Sequence, residues 1–430
     1  MTSPVDGAAV SRAPMSSRVR ETPSFETGGP SGPPLRIGVL ASHPIQYHAP
    51  LHRALSRVPG VQLTVYFAHR PTAVEQGIGY GVPFAWDEDL TDGYRHVWLR
   101  NEADVRRSST GAPFRDRRGD YDTPEIAAII AQERFDVFLL HGWRTRSDWQ
   151  AMSGCEAAGV PMLVRGDSQL RDDPLAKRLI KRLIYPRLLR RFEACLSVGQ
   201  RSADYFEYYG ARRIVTSPHF VDNALFAARV DAARVRRDAA RARWGISRES
   251  MAVLFAGKLI ARKRPMDIVQ AVRRMVGVHA IIVGDGELRA QCKRVAAKLG
   301  VRATFPGFLN QTAIADAYAS ADVLVLPSGR RETWGLVVNE AMASGLPAVV
   351  SDAVGCGPDL IREGVTGYTY PEGDIGELRR RLQHLASDPA ARARMGAAAA
   401  VHVAAYSADA ATAGVLTAGR AAAGRAPWPR

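Results

Sequence analysis

Residues 323–336 read Val323-Leu324-Val325-Leu326-Pro327-Ser328-Gly329-Arg330-Arg331-Glu332-Thr333-Trp334-Gly335-Leu336, and this stretch decides the fold. Four apolar residues stopped by a Pro-Ser-Gly turn predict a short strand buried on both faces, as in a parallel sheet. A helix containing Glu340 follows the turn. Strand, turn and helix in that order is the repeating unit of an α/β domain. The same unit recurs on both sides. Met251–Ala256, Ala280–Val283, Thr304–Phe305 and Ala348–Val350 predict four more strands, with helices between them.

Further towards the N-terminus the alternation repeats. Leu35 to Leu40 predicts a buried strand, Ser42-His43-Pro44 a turn, His48 to Arg57 a helix and Val61 to Phe67 a second strand. Helix Glu125–Glu133, strand Val137–Leu140 ending at His141-Gly142, helix Asp148–Ala158 and strands Pro161–Arg165 and Ala194–Val198 continue it. Leu175–Phe192 predicts a basic amphipathic helix, with a break expected at Pro186. A chain of 430 residues exceeds one ordinary hydrophobic core. The expected division is a disordered tail over 1–34, a first Rossmann-like domain over 35–222 and an Ala- and Arg-rich linker with a lead-in helix over 223–250. A second Rossmann-like domain over 251–405 and a frayed tail over 406–430 complete it.

Composition sets outer limits. With 46% hydrophobic and 23% charged residues, the chain reads as a soluble globular protein. No segment approaches the roughly 20 apolar residues of a membrane span, and no charged stretch leads into an apolar run as in a secretory signal. Cys155, Cys195, Cys292 and Cys356 are too far apart for a metal-ligand spacing and read as reduced thiols of a cytoplasmic protein. The net charge of +15 suits nucleic acid, an anionic membrane surface or anionic small substrates. Arginines dispersed through helical stretches, with no zinc-finger, RRM or helix-turn-helix signature, disfavour nucleic acid.

Parallel sheets bind ligands outside the carboxyl ends of their strands. In the second half those ends carry Gly257-Lys258-Leu259…Arg262-Lys263, Gly284-Asp285-Gly286-Glu287-Leu288, Pro306-Gly307-Phe308 and the Glu332–Leu336 turn. Each has a bland reading. The cations alone are a solvated charge run, and Gly284-Asp285-Gly286 lacks the third glycine of a dinucleotide fingerprint. Glu332 and Glu340, eight residues apart, are most simply a surface pair. Together, on one sheet edge, they point to a diphosphate-bearing ligand: cations for the charge, and a helix-opening turn whose free N–H groups attract anions.

The stretch Val253–Tyr370 resembles the second domain of family 4 of the retaining glycosyltransferases, the glycosyl transferases group 1. Besides the pieces above, Ala319-Ser320-Ala321-Asp322-Val323, Glu332 through Pro347 and Gly364-Val365-Thr366-Gly367-Tyr368 carry the likeness. The first half is similar more loosely, through Ser42–Tyr47 and Ser217–Asn223. The resemblance implies a GT-B fold, in which two Rossmann-like domains with parallel sheets face a central cleft. It implies transfer from a UDP-, GDP- or ADP-sugar to a hydroxyl acceptor: a glycan, a lipid-linked sugar or a small molecule. It places Lys258 and Lys263 at the donor diphosphate, the backbone near Gly307 and Phe308 beside the base, Glu340 on the ribose, Glu332 towards the sugar, and the backbone amides around Trp334, Gly335 and Leu336 at the sugar and phosphates; Gly257, Gly284, Gly286 and Thr333 are further donor-binding candidates. Lys258 stands for a more usual arginine and Trp334 for a common phenylalanine. Cys356 interrupts a usual glycine pair, and Asp359 stands near a frequent glutamate.

On the acceptor side, His141 follows its strand directly, and the family often has a functional histidine there; a structural histidine is equally open. His43 and Gln46 are candidates for acceptor contacts, and for His219 packing is favoured. Glu332 and His141 are the catalytic candidates. No covalent nucleophile is assigned, because the family's reaction is described as front-face. No Asp-x-Asp signature accompanies the donor motifs, so metal independence is expected. The basic helix has two readings, of which packing on the sheet with a solvated basic face is slightly favoured over lying on anionic lipid. The expected location is therefore cytoplasmic, with peripheral association at the inner membrane face left open. A non-catalytic sugar-nucleotide-binding or membrane-associated scaffold protein of the same fold is the alternative function.

Overall fold

The computed structural model describes residues 32–429 apart from 111, 112, 116 and 172, so most of the tail expected over 1–34 lies outside the described residues. The described residues form two parallel sheets. The first contains β1 (Leu35–Ala41), β2 (Val61–Phe67), β3 (His96–Trp98), β4 (Val137–Leu140), β5 (Met162–Gly166), β6 (Ala194–Ser197) and β7 (Ile214–Thr216), in the order β3-β2-β1-β4-β5-β6-β7. The second contains β8 (Met251–Ala256), β9 (Val278–Val283), β10 (Ala303–Gly307), β11 (Val323–Leu326), β12 (Ala348–Ser351) and β13 (Gly367–Tyr370), in the order β10-β9-β8-β11-β12-β13.

Burial explains which strands are legible. β1, β4, β8 and β11 lie inside their sheets and are buried along almost their whole length, Arg36 of β1 being the one charged residue among them. β3, β7 and β13 are edge strands of three or four residues. They are too short to show a period, and sequence reasoning passes over them.

In both sheets the chain winds outward in one direction, returns to the middle and winds the other way. The reversal falls between β1 and β4 in the first sheet and between β8 and β11 in the second. Such a switch point opens a crevice, because the loops leaving the two central strands diverge to opposite faces. The loops at Ser42 and His141 flank one crevice; those at Gly257 and Glu332 flank the other.

Three stretches differ from expectation. Residues 223–250 form two helices, Asn223–Arg234 and Arg237–Arg243, with Phe226, Val230, Ala233 and Ile246 in the core of the second sheet. The stretch expected as a frayed tail holds a 15-residue helix, Ala408–Ala422, which returns to the first sheet and buries Ala411, Val415, Leu416 and Ala418 there. Alanine is the strongest helix former, and small residues let a helix approach closely. A Cβ on Gly414 would lie 2.0 Å from the Thr216 carbonyl oxygen. Finally, the basic helix spans Leu175–Leu189 and continues through Pro186, whose carbonyl accepts the Arg190 N–H at 3.3 Å. It packs on the first domain through Tyr185, Leu188 and Leu189, as favoured, but leaves Leu175, Leu179, Ile180, Leu183 and Ile184 exposed, so only part of its apolar surface is covered.

Candidate active site

The strand ends of the second sheet are tied into one surface. Gly257 donates to the Val283 carbonyl at 3.1 Å, Gly284 to the Gly307 carbonyl at 2.8 Å and Leu259 to the Asp285 carbonyl at 2.8 Å. Gly284 permits this, because a Cβ there would sit 1.9 Å from the Gly257 carbonyl oxygen. Gly286 lies against Leu259 in the same way. The predicted glycines are therefore brought together at the ends of β8, β9 and β10.

On this surface Lys263 forms a largely buried ion pair with Glu332. Sequence reasoning assigns these two groups to different parts of the ligand, yet they touch each other. The Glu332 loop is held from both sides: its carbonyl accepts from Gly355 at 3.0 Å, and the Gln169 amide of the first domain donates to the carbonyls of Arg330 and Glu332 at 2.8 and 3.2 Å. Thr333 Oγ1 donates to Asp167 at 2.6 Å. Among the described residues no acceptor meets the backbone N–H groups of Thr333, Trp334, Gly335 or Leu336. Trp334 is buried, donates to Asn339 at 2.8 Å and meets His219 edge-on at 5.7 Å.

Glu340 is buried beside Leu336, where the Tyr318 hydroxyl donates to it at 2.5 Å. Burial pushes its carboxyl up to about 7, against the opposing effect of the tyrosine hydrogen bond. Lys258 reaches across the cleft, donating to the Ile78 carbonyl at 2.8 Å and lying 4.8 Å from the Tyr80 ring centre. Phe308 is packed by Phe84 at 4.4 Å and Tyr80 at 5.0 Å. Residues 78–86 of the first domain thus cover this surface of the second domain. Their signal in the sequence is only the spacing of Tyr80, Phe84 and Trp86, which has neither strand nor helix period.

The first domain contributes a second cluster that the sequence barely shows. Around the crevice between β1 and β4, His141 stacks on His48 at 3.9 Å, and His52 lies 5.9 Å from His141. Arg165, buried at the end of β5, donates to the Ser217 and Pro218 carbonyls at 3.2 and 2.9 Å and contacts His219. Burial and this cation hold His48, His141 and His219 well below the ordinary imidazole range, and His52 at about 3. All four rings are neutral near pH 7. His141 Nε2 and His48 Nδ1 meet no hydrogen-bond partner among the described residues. The cavity they line also includes Arg144, Asp148, Arg165 and Asp167. Burial lifts Asp148 to about 6.

The remaining candidates separate. Gln46 accepts from Gln311 of the second domain at 2.5 Å and bridges the cleft. His43 contacts Ser42 at 3.1 Å and lines a different, aromatic cavity with Tyr80, Phe84, Trp86 and Lys258. His219 packs between Tyr47 and Trp334, as favoured. Among the described residues no three His, Cys, Asp or Glu side chains are grouped to hold a metal ion. All four cysteines are free and buried.

Comparison with known proteins accords with this geometry. Residues 236–402 match the model of the family described as glycosyl transferases group 1. The D-inositol 3-phosphate glycosyltransferase of Streptomyces avermitilis is 35% identical over 190 residues, covering 41% of this chain and 40% of that protein. The enzyme of that name from Mycolicibacterium smegmatis is 31% identical over 288 residues, 65% of this chain and 60% of its own. The chain thus spans less than two thirds of either relative. Among solved structures, a glycosyltransferase from Rickettsia africae superposes with a TM-score of 0.68 at 12% identity, over 90% of this chain and 98% of that one. Anabaena HepE in complex with UDP-glucose superposes with a TM-score of 0.62 at 16% identity, over 88% and 97%. The fold is GT-B.

Proposed function

We propose that this chain, whose second domain is that of the glycosyl transferases group 1, transfers a sugar from a nucleotide-diphosphate-sugar to a hydroxyl acceptor. The observation that carries the reading is the meeting of the Lys263–Glu332 pair with the unpartnered N–H groups of Thr333–Leu336, directly opposite the histidine-lined cavity. Lys263, Lys258 and those amides neutralise the diphosphate as its bond to the sugar breaks, and interactions that strengthen as charge develops are the ones that accelerate a reaction. Glu332 faces the sugar, and the ionised Glu340 carboxylate accepts from the ribose hydroxyls. Neutral His141 hydrogen-bonds the sugar from the first domain.

The reaction on this reading proceeds with retention. The sugar's C1–phosphate bond breaks, the acceptor oxygen bonds to C1 on the same face, and the acceptor's proton passes to the departing phosphate oxygen. Neither a metal ion nor a covalent nucleophile takes part. The acceptor, a glycan, lipid-linked sugar or small molecule, enters from the cavity around His141 and Arg165.

Binding of UDP to HepE favours a uridine donor. Thermal-shift measurements with UDP, GDP and ADP test this: one nucleotide is expected to raise the melting temperature as its concentration exceeds Kd. No stabilisation by any of the three would sink the donor site. Loss of transfer in EDTA would remove the metal-free part of the reading.

A further inference from the structure

We propose that the helix Leu175–Leu189 is a docking face for an anionic lipid bilayer surface. Leu175, Leu179, Ile180, Leu183 and Ile184 are between 54 and 69% exposed. At about 100° per residue they occupy one half of the helix circumference, an arc that Arg187 enters only in the last turn. Soluble surfaces seldom leave such a run of large aliphatic groups uncovered without a partner. The opposite side is firmly seated: Tyr185 meets Tyr209 at 4.9 Å and Trp143 at 5.9 Å, and Leu188 and Leu189 are buried. At its start, Lys177 and Lys181 both bind Asp173. The apolar side is thus held outward by the fold.

The charge around this side selects the partner. No aspartate or glutamate occurs within residues 175–189, whereas Lys177, Arg178, Lys181, Arg182 and Arg187 do. Arg182 falls next to the Leu175 edge of the apolar side and Lys177 next to the Ile184 edge. A second copy of the chain would cover the aliphatic groups but set like charges against each other. An anionic bilayer satisfies both features, since the aliphatic groups enter the acyl boundary while flanking cations extend to the phosphates. The segment leading into the helix carries Asp167 and Gln169, which bond to Thr333 and the Glu332 carbonyl. A docked bilayer therefore lies beside a segment that shapes the cleft, and a lipid-borne acceptor follows if the transfer reading holds. The docking itself does not depend on that reading.

Co-sedimentation of the full chain with vesicles tests it, using phosphatidylcholine alone and phosphatidylcholine with phosphatidylglycerol. Binding is expected only with phosphatidylglycerol and should weaken as salt rises. Each cation near an anionic surface contributes about a fivefold change in partitioning, so Arg178→Glu with Arg182→Glu should weaken binding by more than about tenfold. Leu183→Ser with Ile184→Ser should do the same by removing apolar insertion. A Leu183→Trp variant should show blue-shifted emission on binding. Circular dichroism and melting curves of each variant separate loss of docking from loss of folding. Absence of binding at low salt, or binding unchanged in both double variants, overturns the proposal. So does a dimer that Leu183→Ser with Ile184→Ser turns into a monomer without vesicle binding, which would make a second copy the occupant.

Discussion

The two crevices of this molecule occupy equivalent positions in equivalent sheets, yet they are built in opposite ways. The second-domain crevice is made of backbone turns and groups contiguous in sequence: Gly257 to Lys263, Gly284 to Gly286 and Glu332 to Glu340. Its buried titratable group is an acid, Glu340, which burial pushes up to about 7. The first-domain crevice gathers His48, His52, His141, Arg165 and His219 from distant segments, and its four histidine rings are kept neutral, chiefly by burial. A binding surface that recurs as a motif can be read in a sequence. A cavity assembled from single residues cannot.

The difference has a sign that experiments can use, and the largest effect should be acid-induced. Unfolded histidines take up protons below about pH 6.5, whereas the buried rings refuse them. Their contribution is complete above pH 6.5 and is lost as the pH falls towards the depressed folded values. At pH 5 the loss is about 2 kcal/mol for each fully buried ring. For Glu340 the folded chain binds the proton more tightly, so its contribution falls as pH rises from 4.5 to about 7. Hydrogen exchange at pH 5 should therefore show β1, β4 and β5 opening before β8 and β11. Uniform opening of both sheets would break the comparison.

Next in size is Glu332→Ala, expected to lower turnover by roughly 10²-fold or more with circular dichroism unchanged. Unaltered transfer would remove the catalytic assignment. Val415→Ala, in the helix that returns to the first sheet, should cost about 2 kcal/mol in chemical denaturation. Loss of exchange protection confined to the first sheet sharpens the contrast between domains, and equal loss in both blurs it. The smallest effect belongs to Glu340→Gln, which should weaken nucleotide binding by about tenfold at pH 8. In the parent chain binding should strengthen as pH rises through about 7, and that dependence should vanish in the variant; titration calorimetry checks both.

Much of the second-domain crevice was legible because its pieces need particular residues at short spacing. Gly284 has to be glycine where two loops cross, and a turn must open the helix bearing Glu340. Two of its features were not legible: the contact of Lys263 with Glu332, and the covering of Phe308 by Tyr80 and Phe84. Both join segments tens to hundreds of residues apart. Arg165 gave no signal because an arginine ending a strand reads as exposed; only the folded chain supplies the Ser217 and Pro218 carbonyls that satisfy it.

What the sequence by itself determined is the α/β alternation, the central strands and the glycine turns at the strand ends of the second sheet, since each depends on periodicity or steric demands within a few residues. Tertiary structure alone decided the edge strands β3, β7 and β13, the return of helix Ala408–Ala422 to the first sheet, the gathering of the histidines and the outward apolar side of helix Leu175–Leu189. The physical reason is common to all four. Burial is a property of what a segment packs against, and alanine, histidine and short aliphatic runs are compatible with either answer until the rest of the chain is in place.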